Sequence, residues 1–475
     1  MLYINGEWKT TKEQLDVINP STGEVIDTVS KSGKDEANNA VKAAKDNIKM
    51  WSKKTAKERY NFLNKAAAVL KERTDNIAEV ITKEMGKPLQ ESKGEISLAV
   101  DYLEWYAEEG RRIYGETIPA SSEHKRLMIQ KQPVGVVGAI TPWNFPIAMI
   151  TRKIAPALAA GCTVILKPAS ATPLTAVEVF KAFHDAGIPN GVVNLLHGSA
   201  REITQVLMDS SDVRKITFTG STEVGKQLMK QSADTMKKIS MELGGHAPFL
   251  VFQDADLEKA TDGAIASKFR NAGQTCVCAN RMYVHEDIAD EFSALLAKKI
   301  KNLKIGDGNE KQVEIGPLID NNAVEKAFDH VEDAKSKGAK VIAGGNKLTE
   351  GKYRNGFFFE PTLLKNATEE MKISHEETFG PVAPIFSFKT EEEAIKKANN
   401  TPYGLASYMY TKDGSRMFRI SEALEYGIVG VNDPLPTVAQ APFGGVKESG
   451  LGREGGRQGI EDFLEEKFVS IQLDD

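Results

Sequence analysis

Val134-Gly-Val-Val-Gly-Ala-Ile140, then Thr141-Pro-Trp-Asn-Phe-Pro146, a helical stretch from Ile150 to Ala160 and Thr163-Val-Ile-Leu-Lys167 decide the fold. Short apolar runs bounded by glycine or proline read as buried strands. Here two of them flank a stiff two-proline turn and a helix. The alternation continues downstream. Thr175 to Ala186 is helical, and Val192 to Leu196 and Lys215 to Thr219 are further strands with helices between them. That pattern argues for a parallel sheet covered by helices. Ligands of such sheets sit beyond the carboxyl ends of the strands, so the loops at 141–146, 168–173 and 220–225 mark the expected cleft.

The first 30 residues read as a short strand pair with turn chemistry at Ile18-Asn-Pro-Ser-Thr-Gly-Glu-Val25. Val41, Ala44, Ile48 and Trp51 recur at helical spacing, and similar patterns run to about Arg112. A second alternating region runs from about Ala247 to Ile428. It has strands at Arg281 to Val284 and Val382 to Phe388, and Gly-Phe-Phe-Phe-Glu-Pro-Thr (356–362) enters a loop. Glu466 to Leu473 form a β-prone tail with nothing after it to pair with, and such an edge finds a partner.

At 475 residues the chain should hold two or three domains. The net charge is −5 with both signs mixed, which argues against nucleic acid and against a polybasic membrane surface. Anionic ligands must then be held by local groups. No apolar run approaches the roughly 20 residues that span a bilayer. The N-terminal Met-Leu-Tyr-Ile-Asn-Gly-Glu-Trp does not read as a signal peptide. Three cysteines make no disulfide framework and suggest a reducing, cytoplasmic compartment. No Cys/His set has zinc spacing, so no metal is expected.

Asn271-Ala-Gly-Gln-Thr-Cys276 places one thiol in a small polar loop, and Glu242 lies thirty-four residues upstream in Met-Glu-Leu-Gly-Gly. A thiol and a carboxylate suggest covalent catalysis, with thiolate attack followed by activation of water. A buried, inert cysteine is the plainer reading of Cys276 alone. Asn144, in its stiff loop, offers a fixed amide donor of the kind an oxyanion site needs. Phe218-Thr-Gly-Ser-Thr-Glu-Val-Gly225 ends a strand and starts a helix. Gly220 permits close approach to the backbone, Ser221 caps the helix, and the helix N-terminus can meet a diphosphate. An ordinary capped helix explains the same residues. Lys167-Pro-Ala-Ser170 ends another strand, with a lysine placed for a ribose or phosphate. Gly450-Leu-Gly-Arg-Glu-Gly455 matches a dinucleotide fingerprint but lacks the strand-turn-helix context, so it reads as a glycine-rich turn before the last helix.

Together these segments, with Glu-Glu-Thr-Phe-Gly-Pro and Pro-Phe-Gly-Gly-Val-Lys, resemble the aldehyde dehydrogenase superfamily in order and spacing over essentially the whole chain. The resemblance implies an α/β fold in three parts. These are a Rossmann-like cofactor domain (1–114 and 134–244), an α/β catalytic domain (245–445) and a small β oligomerisation arm (115–133 and 458–475). It implies Cys276 as nucleophile, with the Asn144 side chain and the Cys276 N–H holding the oxyanion. Glu242 would activate the water. Glu377 would bind the nicotinamide ribose with Phe379 beside the ring, and Lys167 the adenosine ribose. Trp143, Gly220 and Ser221 would line the cofactor cleft, and Phe443 the substrate tunnel.

Within the superfamily, Phe-Arg-Asn-Ala-Gly-Gln-Thr-Cys-Val-Cys-Ala-Asn-Arg is most similar to succinate-semialdehyde dehydrogenases. That likeness implies that Arg152 and Arg270 grip a distal carboxylate, a natural task for guanidinium. Either arginine alone also reads as half of a structural ion pair. Thr437 takes the place of a subfamily serine, keeping its hydroxyl and adding a methyl that narrows the pocket. The implied reaction is oxidation of an ω-carboxy aldehyde, most readily succinate semialdehyde. Glutarate semialdehyde or an aminoaldehyde is the alternative, and a non-catalytic family member is a remote one. NADP is favoured over NAD, because Ser170 stands where NAD-specific relatives often carry a glutamate that would repel a 2′-phosphate. The same likeness implies a redox pair of Cys276 and Cys278; side chains two residues apart face opposite ways in an extended chain, so the loop must bend to join them. A homodimer or homotetramer is expected, its tail paired with another subunit.

Overall fold

The computed structural model describes residues 1–474. Asp475, the last residue of the expected arm, lies outside the described residues. The first sheet has eight strands. Across it run Glu7–Lys9, Leu2–Ile4, Val193–Leu195, Thr163–Lys167, Val136–Ile140, Val213–Thr219, Lys238–Glu242 and Gly450–Leu451. The central five are parallel, and the outer ones join antiparallel. The chain leaves Val136–Ile140 toward one edge and later returns to lay Val213–Thr219 on its other side. Strand order therefore reverses between these two strands, which is where such sheets open a crevice.

Local chemistry fixes the pieces around that crevice. Helix Pro146–Ala160 begins on a proline, whose missing N–H costs nothing at the first turn. It ends at Gly161, whose φ of 97° is a left-handed cap. Every residue of this helix is buried, its apolar run broken only by Thr151-Arg152-Lys153. Helices Ala56–Glu72 and Leu89–Glu109 pack beside it, Thr74–Met85 packs on Leu89–Glu109, and Lys34–Ser52 lies on the sheet beside helix Ala200–Asp209. Trp51 sits fully buried and donates its ring N–H to the Leu158 carbonyl at 3.2 Å.

The second sheet runs Lys340–Ala343, Thr362–Lys365, Val382–Phe388, Ala279–His285, Ala247–Val251, Ala406–Tyr410 and Ile428–Val431. All pairs but the first are parallel. Only Leu243 to His246 separate the end of Lys238–Glu242 from the start of Ala247–Val251. A three-stranded sheet stands apart, built from Leu464–Gln472, Lys125–Pro133 and Glu116–Ile118.

Three readings need correction. The tail does find a partner, but in its own chain. Leu464–Gln472 pairs antiparallel along its whole length with Lys125–Pro133, because the earlier hairpin strand offers a matching free edge. Its far edge has no partner among the described residues, and Phe468 and Ile471 are exposed there. The N-terminal 30 residues form two hairpins, not one, and the first extends the large sheet through Tyr3 and Leu195. The Gly450 segment is more than a turn. Gly450 and Leu451 pair with Glu242 and Met241, closing the sheet edge beside the candidate base.

The link between sheets leaves no room for side chains. A Cβ on Gly245 would lie 2.3 Å from the Cys276 carbonyl oxygen, a backbone atom that cannot swing aside. Gly245→Ala should displace the Cys276 loop and cost about 1–3 kcal/mol, as overpacking does. Thermal melting and turnover check this together; a variant that keeps both would show that the loop is free to move.

Candidate active site

Two cavities meet at Cys276. One, of about 240 Å³, is lined by Trp143, Asn144, Gly220, Ser221, Glu377 and Phe379, with Lys326 at its side. The other, of about 320 Å³, is lined by Glu91, Phe145, Arg152, Arg270, Thr437 and Phe443 among others. Cys276 is the one residue that lines both. The first cavity draws on both sheets. Residues 142–144 and 219–221 follow the carboxyl ends of Val136–Ile140 and Val213–Thr219. Gly244, Cys276 and Glu377 precede the amino ends of Ala247–Val251, Ala279–His285 and Val382–Phe388. The crevice of one sheet is thus capped by the strand starts of the other.

Asn144 is held tightly. Its main-chain carbonyl accepts from Lys87 Nζ at 2.7 Å and from Asn271 Nδ2 at 3.0 Å. Its side-chain Nδ2 donates to the Gln274 carbonyl at 3.1 Å. An amide nitrogen carries two hydrogens, so one donor remains. The loop before the thiol is bent: Asn271 and Ala272 both have φ of 53°, in the left-handed region. Such strained positions cluster at functional sites.

Burial pushes the Cys276 thiol up to about 12, and the Arg152 guanidinium pulls against that. Desolvation outweighs the nearby positive charge, so the thiol needs a base to become a thiolate. Glu242 is buried at the end of its strand, and its carboxyl is pushed well above the carboxylate range. Burial is the main cause, followed by repulsion from Glu454. It lines neither cavity wall, and its Oε2 is without a hydrogen-bond partner. A Cβ on Gly444 would meet its Oε1 at 2.9 Å, so only glycine fits against the carboxylate there.

Arg152 and Arg270 both line the larger cavity but differ in commitment. Arg152 Nε lies 2.5 Å from Glu454 Oε2, and its guanidinium stacks 4.1 Å from the Phe443 ring centroid. Glu454 also pairs with Lys153. The ion-pair reading therefore holds for Arg152. Arg270 has no ion pair among the described residues; its guanidinium lies 5.2 Å from the Phe145 ring. Glu454 was not singled out in the sequence. It sits inside the glycine-rich 450–455 turn, and nothing in one sequence marks a carboxylate there as the partner of residues 300 positions away. Glu91, which accepts from the Asn271 N–H at 2.9 Å, was missed for the same reason.

Of the residues expected on the cofactor side, Trp143, Gly220, Ser221, Glu377 and Phe379 line the smaller cavity and two do not. Glu377 accepts from the Gly245 N–H at 3.2 Å, and burial raises its carboxyl to about 7. Phe379 has φ of 53° and meets Trp143 edge-on, centroids 5.5 Å apart. Ser221 caps helix Thr222–Ser232 by accepting from the Val224 N–H at 3.4 Å. Lys167 and Ser170, however, stand outside the 240 Å³ cavity. Lys167 pairs in register with Ile140, which lines a third cavity of about 470 Å³ between helices Ala200–Asp209 and Thr222–Ser232. The Lys167 ammonium is buried without an ion-pair partner among the described residues, and desolvation lowers it to about 8. Ser170 is exposed at the turn beyond it. Cys276 and Cys278 are both free thiols, and Cys278 is fully buried with Lys268 Nζ 3.4 Å from its sulfur.

The sequence profile of the aldehyde dehydrogenase family matches residues 8–469. The chain belongs to that family. It is 54% identical to a glutarate-semialdehyde dehydrogenase of Pseudomonas putida over 473 residues, covering 99% of this chain and 97% of the relative. It is 53% identical to the NADP(+) succinate-semialdehyde dehydrogenase GabD of Escherichia coli, covering 99% and 97%. The crystal structure of an E. coli NADP-dependent enzyme superposes with a TM-score of 0.98 at 53% identity, covering 100% of this chain and 98% of that one. The molecule is thus an aldehyde dehydrogenase with the fold its alternating segments imply, acting on a small aldehyde. Among the described residues, no helix of this aldehyde dehydrogenase is long and apolar enough to cross a membrane.

Glu454 sets the electrostatics of Glu242. Replacing it in Glu454→Gln removes a like charge and frees Arg152 and Lys153 to act on Glu242. Both changes favour the ionised form, so the ionisation midpoint of Glu242 should fall. Infrared difference spectra of the carboxyl band against Glu242→Gln would follow it across pH; an unchanged or higher midpoint would contradict the coupling.

Proposed function

We propose that the enzyme oxidises an ω-carboxy aldehyde, succinate semialdehyde first among them, to the diacid with NADP or NAD, through a thiohemiacetal and a thioester on Cys276. The observation that carries this is the position of Cys276 as the shared wall of the two cavities, with Arg270 left unpaired in the larger one. A guanidinium with no salt-bridge partner, within electrostatic reach of Glu91 on the same cavity, favours a substrate that brings its own carboxylate. Glutarate semialdehyde, one methylene longer, is the second reading, and an aminoaldehyde the third. The added methyl of Thr437 on the cavity wall shortens the space and favours the four-carbon substrate.

The residues fit a nicotinamide dinucleotide. Glu377 presents a carboxylate for a ribose, the first turn of helix Thr222–Ser232 presents free N–H groups for a diphosphate, and Lys167 is a buried cation without an anion. A Cβ on Gly220 would strike the Phe218 ring at 2.4 Å, so the strand end stays bare. Bound cofactor supplies a hydride acceptor. In the proposed chemistry the Cys276 thiol passes its proton to Glu242, which releases it to solvent, and the sulfur attacks the aldehyde carbon. The Asn144 amide and the Cys276 N–H hold the resulting oxyanion. Loss of hydride leaves a thioester, and Glu242 takes a proton from the water that cleaves it. The raised proton affinity of Glu242 suits it to that task. NADP is favoured because Ser170 adds no negative charge near Lys167. The outer edge of Leu464–Gln472, with Phe468 exposed, is proposed to pair with a second copy.

Cys276→Ala should abolish turnover while leaving cofactor binding nearly intact. Glu242→Gln should slow deacylation by about 100- to 10,000-fold and give a burst of reduced cofactor equal to the enzyme. Turnover retained in the alanine variant would end the covalent scheme.

Substrate choice is tested with succinate semialdehyde, glutarate semialdehyde, an aminoaldehyde and an uncharged aldehyde of similar length. Arg270→Ala should cut kcat/KM on the carboxylated substrates by roughly 30-fold or more and barely touch the uncharged one, as loss of a buried charged contact does. Arg152→Ala, which strands Glu454, should harm all substrates alike. Equal losses in both variants on every aldehyde would show that Arg270 is structural too.

A further inference from the structure

A buried ion pair lies between the oxyanion loop and the larger cavity, which Glu95 helps to line, and it has no part in the chemistry above. Lys87 Nζ and Glu95 Oε2 are 2.6 Å apart, and both side chains are essentially sealed from solvent. Lys87 follows helix Thr74–Met85, and Glu95 lies in helix Leu89–Glu109. Each has a second bond into the loop and helix that carry Asn144. Lys87 Nζ donates to the Asn144 main-chain carbonyl at 2.7 Å and sits 4.0 Å from the Phe145 ring centroid. Glu95 Oε1 accepts from the N–H groups of Ile147 and Ala148 at 2.9 and 3.1 Å, in the first turn of helix Pro146–Ala160.

Such a pair is a poor means of stabilising a fold. Desolvation of two ions commonly offsets their attraction, and well-packed apolar residues do as well or better. What this pair does provide is geometry. Residues 144, 145, 147 and 148 are gripped from one side by two side chains that are themselves locked together. On the opposite side Asn271 Nδ2 donates to the same Asn144 carbonyl at 3.0 Å. Asn144 carries its reactive amide into the cavity wall beside Cys276. A donor helps only if it already points at the developing charge, and a small misplacement can cost about a hundredfold in rate.

We infer that Lys87 and Glu95 form a buried clamp that positions the Asn144 amide for the oxyanion. They are positioning residues: neither needs to touch substrate for this task. The inference rests on the reading of Asn144 as the oxyanion donor.

The test is a mutant cycle on the full-length enzyme, read by the single-turnover burst of reduced cofactor with succinate semialdehyde. The double variant Lys87→Met/Glu95→Gln removes both charges together, so no ion is stranded, and the glutamine oxygen can still accept from Ile147 and Ala148. It should slow the burst by roughly 10- to 100-fold, with cofactor affinity and the KM for aldehyde within about twofold. Asn144→Ala should slow it by about 100-fold or more. Placed on top of Asn144→Ala, the double variant should cost little further, because it acts through Asn144. Lys87→Arg, which keeps the charge and a donor, should recover part of the rate. Should the double variant fail to fold, Glu95→Gln alone replaces it in the same cycle. Equal losses with and without Asn144, or an unchanged burst, would overturn the clamp. A normal burst in Asn144→Ala would instead overturn the role of Asn144 itself.

Discussion

Everything in the active site depends on how little chain separates the two sheets. Leu243 to His246 alone carry the backbone from the end of one parallel sheet to the start of the next. A link that short forces the carboxyl edge of the first sheet against the amino edge of the second. Glycine at 244 and 245 is what permits it, since added side chains would meet Glu377, Thr222 and the Cys276 carbonyl. The cleft is therefore a seam between two rigid bodies, and the thiol sits in the seam. Catalytic groups fixed on strand ends of packed sheets hold their geometry better than groups on free loops.

The seam is also unusually rich in buried charge. Glu242, Glu454, Arg152 and Lys153 share one dry region, and Lys87 and Glu95 share another. In each, anions and cations are matched closely enough to persist without water, yet not so completely that every atom is satisfied. Glu242 Oε2 keeps an open valence. A carboxylate whose attraction for a proton has been raised by burial and by a like charge is primed as a base. Burial acts on the thiol in the same sense, since desolvation keeps its proton on too. Carboxyl and thiol in this pocket thus both hold a proton more tightly than they would in water.

Much of this was legible in the residues. The parallel sheets followed from short apolar runs alternating with helical stretches, and Val382–Phe388 matches its expected bounds. Cys276, Asn144, Glu377 and Phe379 converge as their motifs imply, because each motif marks a strand end that the topology brings to the seam. What could not be read was pairing across long separations. Glu454 meets Arg152 and Lys153 some 300 positions away, and Lys87 meets Asn144 across 57. Periodicity reports which face of an element is buried, not which charge waits on the other side. The same blindness hid the in-chain partner of the tail, since an antiparallel pairing of distant strands leaves no local signature.

The path from Phe443 to Leu464 gives the tail a further meaning. In about twenty residues the chain runs from the wall of the substrate cavity, through the countercharge Glu454, to the first pair of the arm at Leu464 and Pro133. Along the way the Phe463 carbonyl accepts from the Val134 N–H, and Lys131 pairs with Glu461 at 2.6 Å. The outlying sheet and the buried charge cluster are thus two ends of one short stretch of chain. Any shift of the arm strand has a brief covalent path to Glu454 and the carboxylate beside it.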